Sequence, residues 1–145
     1  MLKSVFILSL TSLLAACATG YQSAGLTGGY NQIPGPGKLD KVFFSGNAYI
    51  TANTVKDYAL YRVAEVAQSK NKPHFVLYQT LVGAARNIAA TEARVGVVDN
   101  KPVAYAFVLY LDTPREGSME TAAVLKRLDW VPNPPPSPAT NGGTK

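Results

Sequence analysis

The sequence predicts an α+β fold. The expected form is a two-layer sandwich: a four-stranded, mostly antiparallel sheet with two helices on one face, in the order β-α-β-β-β-α. Three observations lead there. Apolar residues recur at helical spacing from Val55 to Lys70. Phe75 to Val82 is apolar on both alternating faces, as a central strand is. Asp99-Asn100-Lys101-Pro102 separates two β-rich runs, as a hairpin turn does.

Element by element, the folded part is expected over residues 41–131. Lys41 to Ile50 carries Val42, Phe43, Phe44, Tyr49 and Ile50, a strand composition with a kink or bulge at Gly46-Asn47. Asn53 or Thr54 caps the first helix, and Asp57 lies in its first turn, where a negative charge favours the dipole. Val55, Ala59, Leu60, Val63, Ala64, Val66 and Ala67 form the apolar face. Asn71-Lys72-Pro73 stops the helix, because proline biases Lys72 away from the helical region. The alanine-rich stretch 83–90 reads as a helical turn or a loop. Thr91–Val98 and Val103–Leu111 form the hairpin strands. Ser118 caps a second helix over about Met119–Asp129 that buries Ala122, Leu125 and Leu128. A strand–helix–strand connection favours a right-handed crossover.

The two ends have different characters. Lys3 precedes an apolar run from Val5 to Ala16 that ends in Leu14-Ala15-Ala16-Cys17. A positive start, an apolar stretch of twelve residues and small residues before a cut describe a secretory signal peptide over 1–16. The run is well short of the roughly 20 residues that a spanning helix requires. Cys17, the single cysteine, stands where a bacterial lipobox places the acylated residue, so lipid attachment is expected there. Ala18 follows where an aspartate resembles an inner-membrane retention signal, which favours the outer membrane; the domain is expected to face the periplasm, although the sequence leaves periplasm or exterior open. Residues 17–40, rich in glycine, proline and small polar groups, are expected as a flexible tether, and residues 132–145 as a proline-rich tail.

The formal net charge is +5, with the basic residues scattered rather than in a block, which argues for solubility over nucleic-acid binding. No nucleic-acid partner is expected. The membrane is the expected partner through Cys17, with an envelope protein or a second copy as a further one. No catalytic, metal or cofactor site is identified. His74 is the lone histidine, at the opening of a strand, and no Gly-x-Ser-x-Gly elbow accompanies it. Gly35-Pro36-Gly37-Lys38 fails as a phosphate loop, because Gln32 and Leu39 stand where that motif needs glycine and a hydroxyl.

Gly46-Asn47, the run Thr54-Val55-Lys56-Asp57-Tyr58-Ala59-Leu60-Tyr61-Arg62-Val63-Ala64-Glu65, and His74-Phe75-Val76-Leu77 together resemble a small family of Caulobacter-type proteobacterial outer-membrane lipoproteins. Ala122-Ala123-Val124-Leu125 is similar to that family's closing helix. The chain departs from the pattern at 83–94, where alanine replaces a Ser/Thr-rich segment, and at Val63, where alanine is typical. That family has no assigned activity, so the resemblance implies fold and location only.

Two candidate sites follow from the pattern. Tyr58, Arg62 and Glu65 are neighbours on one helix flank, either as a stacked, paired arginine or as a ligand-facing cation. On the sheet, if Phe44, Leu77, Phe107 and Leu109 face the helices, alternation sends Phe43, Tyr49, Tyr78, Val108 and Tyr110 the other way. An open face with three tyrosines is expected to bind a partner, a second copy or the chain's own tether, which holds Tyr21, Tyr30 and Ile33. The functional expectation is a non-catalytic interaction or scaffold domain. The alternative is an envelope enzyme or small-ligand binder.

Overall fold

The computed structural model describes residues 19–132. The expected signal peptide over 1–16, the expected lipid site Cys17 and the expected tail from residue 133 onward lie outside the described residues. The fold is α+β with an open, mostly antiparallel sheet. In chain order the elements are β1 (Gly29–Pro34), β2 (Asp40–Ser45), α1 (Ala52–Ser69), β3 (His74–Tyr78), α2 (Leu81–Ala85), β4 (Arg94–Val98), β5 (Lys101–Leu111), β6 (Met119–Glu120) and α3 (Thr121–Arg127). Among the described residues the sheet has six strands and there are three helices, which corrects the expected four and two. The strands run β1-β2-β5-β3-β6, and β4 pairs with β5 beyond the end of β3.

The largest correction concerns the expected tether. Gly29–Pro34 is an edge strand paired antiparallel with Ser45–Asp40, and residues 19–28 fold back beside it. Gly28 and Gly29 serve a tight approach of backbone to backbone. Gly28 (φ +103°) lies so close to β2 that a Cβ there would come within 2.2 Å of the Ser45 carbonyl oxygen. Only glycine tolerates both the positive φ and the contact.

Local chemistry explains the helix ends. Thr51, rather than Asn53 or Thr54, caps α1, its hydroxyl accepting from the Thr54 amide at 3.1 Å. At the other end Asn71 adopts φ 55°, its amide donates to Gln68 and that of Lys72 to Ala67, the paired bonds of a Schellman motif. β3 ends at Tyr78 because Thr80 caps α2, accepting from Gly83 at 2.9 Å. Ser118 closes a loop with Arg115 instead of capping the last helix, which begins later, at Thr121. Asp99 and Asn100 both have positive φ, as a two-residue type I′ hairpin turn requires.

The core lies between the sheet and α1 with α3. Val42 and Phe44 of β2, Ala104, Ala106 and Val108 of β5, and Phe75 and Leu77 of β3 face Val55, Ala59, Val63, Ala64 and Ala67 of α1. This reverses the expected parity of β5. Its inward positions are the small ones, Ala104 and Ala106, which let α1 lie close over the middle of the sheet. Tyr105, Phe107 and Leu109 therefore point to the opposite face, and Tyr110 points inward with Val108.

Candidate functional site

On α1, Tyr58, Arg62 and Glu65 do share one flank, and what they meet is the segment before β1. Tyr58 is buried, its ring edge-on to Phe44 at 4.9 Å and near Trp130 at 6.0 Å. Arg62 Nη1 donates to Glu65 Oε2 at 3.3 Å, and its guanidinium carbon stands 4.4 Å over the Tyr30 ring. The same Glu65 oxygen accepts a short hydrogen bond from the Tyr21 hydroxyl. Burial pushes the Tyr21 hydroxyl far above the ordinary tyrosine range. The bond to Glu65 and that carboxylate's charge push it further, with Arg62 opposing. The phenol therefore stays protonated and donates. Of the two readings of this flank, the geometry matches the stacked, paired arginine: it clamps Tyr21 and Tyr30 onto the helix.

The five residues expected on one sheet face do not come together, and Val108 is buried in the core. Phe43 and Tyr78 lie on the face away from α1. Tyr110 lies on the α1 side, with Lys70 Nζ 4.8 Å over its ring and a buried hydroxyl that has no hydrogen-bond partner. Burial raises its pKa, and the nearby Asp40 carboxylate adds to that. Tyr49 belongs to the turn before α1, because β2 ends at Ser45, and it is exposed. The alternative that the chain's own tether covers the outer face is also corrected, since Tyr21 packs against Phe44, Tyr58 and Tyr61, and Tyr30 against Tyr21 and Arg62, on the α1 side.

The outer face joins the expected Phe43 to β5 residues of the opposite parity from that expected. Phe43, Tyr105 and Phe107 form a half-buried aromatic strip, paired across β2 and β5 as Phe43 with Tyr105 and Lys41 with Phe107. Lys41 Nζ stands over both the Tyr105 and Phe107 rings, at 5.3 and 5.9 Å. Beyond Leu109 the face dips into an open cleft of about 590 Å³ under α2, with Leu39, Leu81, Ala84 and Leu109 among its walls. At its edge the buried Tyr78 hydroxyl donates to Asn87 Oδ1 at 3.0 Å and accepts from Arg115, which also donates to Asn87 at 2.9 Å. Arg115 has no carboxylate partner among the described ion pairs. Asn87 (φ 53°) holds a left-handed position that asparagine tolerates well.

Asn87 and Arg115 were not legible as site residues, since they sit in loops nine and thirty-seven positions from Tyr78 respectively. Among the described residues no group of three His, Cys, Asp or Glu could hold a metal ion. His74 is half-buried at the start of β3, opposite Leu111 and Glu120. No helix among the described residues is long and apolar enough to cross a membrane. No protein-family model, curated protein or solved structure matches the chain.

Proposed function

We propose that this protein is a lipid-anchored lipoprotein of the cell envelope whose domain acts as an interaction module, held at the outer membrane through Cys17 and facing the periplasm. The lipobox-like Leu14-Ala15-Ala16-Cys17, the following Ala18 and the resemblance to Caulobacter-type lipoproteins support the location. The aromatic strip Phe43–Tyr105–Phe107 supports the activity. Tyrosine and phenylalanine side chains presented together on a rigid sheet are the anchors that protein partners bury. The strip is central in the sheet, so a partner meets a preformed surface and little ordering entropy opposes binding.

Photo-crosslinking in intact cells tests this reading. A crosslinker at Tyr105 is expected to trap one envelope protein that a crosslinker at Glu116 does not. The adduct is expected to disappear when Phe43→Ser and Phe107→Ser are combined in a chain that still folds. Identical adducts from both positions, or an adduct that survives the double substitution, would contradict it.

A second reading rests on the cleft beside the strip. Arg115 offers its planar fork next to apolar walls, an arrangement suited to a small molecule with a carboxylate and an aliphatic or aromatic body. Native mass spectrometry of protein purified from the envelope distinguishes it. A retained small ligand that is lost in Arg115→Gln favours the binder over the interaction module.

A further inference from the structure

Among the described residues the three most exposed large apolar side chains, Leu26, Tyr49 and Val97, gather with Val98 at one end of the domain, while Leu81, Val82 and Ile88 form a separate group around α2. Leu26 is fully exposed, at the tip of the tight turn that Gly25 and Gly28 close with reciprocal hydrogen bonds of 3.0 and 3.2 Å. Tyr49 is 72 % exposed in the turn that leaves β2, and Val97 and Val98 are 70 % and 58 % exposed at the β4–β5 hairpin. Strand register puts all three turns at one end of the sheet. Gly29 pairs with Ser45, Ser45 with Val103, and Val98 with Lys101, while the Gly46 amide donates to the Pro102 carbonyl at 2.8 Å.

The chain also enters the domain at this end. Thr19 is buried there, its hydroxyl donating to the Thr27 carbonyl at 2.6 Å, next to Leu26. Cys17 is two residues earlier, and two residues reach at most about 7 Å. A lipid on Cys17 therefore cannot stand far from the Leu26 turn. With residues 19–34 folded onto the domain, no long tether separates the anchor from the protein.

We infer that this end of the domain, carrying Leu26, Tyr49, Val97 and Val98, lies against the lipid surface and orients the molecule on it. The inference rests on the proposed lipidation of Cys17. Leucine and valine at turn tips bury in the acyl boundary, and tyrosine suits the headgroup level. The hairpin tip carries Asp99 and Lys101, one charge of each sign, so the contact is apolar rather than electrostatic and insensitive to salt. The arrangement stands the strands away from the membrane and leaves the Phe43–Tyr105–Phe107 strip to the side, open to a partner.

The test uses full-length, lipidated protein reconstituted into vesicles of phosphatidylethanolamine and phosphatidylglycerol that contain brominated acyl chains. Leu26→Trp is compared with Ile33→Trp, which is also exposed but lies four residues along β1, about 13 Å from Gly29 at strand rise. With the wild-type Trp130 signal subtracted, the tryptophan at 26 is expected to shift to the blue and lose most of its emission to bromine. The one at 33 is expected to keep its emission, and both results are expected to be unchanged in high salt. Equal emission from the two positions in protein whose intact mass shows acylated Cys17 would overturn the inference while leaving the anchor in place. An unmodified Cys17 in the intact mass would overturn the anchor, and the membrane-facing end with it.

Discussion

Glu65 is the residue on which the N-terminal segment turns, because one of its oxygens accepts from both Arg62 and Tyr21. A hydrogen bond to a charged group contributes about 1.5–3 kcal/mol, and Glu65 is only partly buried, so the low end applies. Tyr21→Phe is expected to destabilise the domain by about 1.5 kcal/mol in urea unfolding. The same substitution has a pH signature. Tyr21 ionises near pH 10 in the unfolded chain and only above that in the folded one, so the folded state holds the extra proton. Its contribution is therefore fully present below about pH 10 and is lost as pH rises beyond it, by about 1.4 kcal/mol per pH unit. Above pH 10 the stability of Tyr21→Phe is expected to fall with a shallower slope than that of the wild type. Parallel slopes would show that Tyr21 is not held protonated. A second residue-scale outcome concerns the close approach at β1. Gly28→Ala is expected to cost at least about 1–3 kcal/mol, because both its φ and its contact with Ser45 exclude a Cβ.

At the scale of elements, β1 makes the boldest departure from the sequence-based expectation. Gly29-Tyr30-Asn31-Gln32-Ile33-Pro34 has the composition of a linker, and its proline is tolerated because it ends an edge strand. What makes it a strand is non-local: pairing with β2, Tyr30 under the Arg62 guanidinium, and Asp40 accepting from both Gln32 and Lys70 at 2.7 Å. By contrast α1 and the β4–β5 hairpin were legible, because their signals are local: helical periodicity, the Asn71-Lys72-Pro73 stop and the Asp99-Asn100 turn. The inward side of β5 was not. Size alone favours Phe107 and Leu109 as core, whereas the close approach of α1 requires the alanines there. That parity puts Phe107 and Tyr110 on the sides opposite to those expected and brings Tyr105 onto the outer face. A chain beginning at Lys41 is therefore expected to be much less stable than one beginning at Thr19. It loses two packed tyrosine rings worth about 1.5–3 kcal/mol each, so its melting temperature should drop by roughly 10 °C or more. Equal melting by calorimetry would restore the tether. For β5, Ala104→Leu is expected to cost about 1–3 kcal/mol by overpacking against α1, whereas Phe107→Ser on the outer face should cost less.

For the whole molecule, three features line up. The chain enters at one end of the sheet, that same end carries the most exposed apolar turn tips, and the aromatic strip lies on the face that neither α1 nor α3 covers. The clamp of Tyr21 and Tyr30 by Arg62 and Glu65 couples them, since it holds the segment from Tyr21 to Tyr30 against α1. A domain on a loose tether would present every face to its surroundings in turn, whereas a clamped one presents a chosen face. The account depends first on acylation at Cys17, and the mass of the N-terminal peptide from protein recovered in the outer-membrane fraction tests this most directly. The account predicts a chain that starts at Cys17 and carries a diacylglyceryl thioether and an acylated amine. A peptide that begins elsewhere, or a Cys17 with a free thiol, would contradict it.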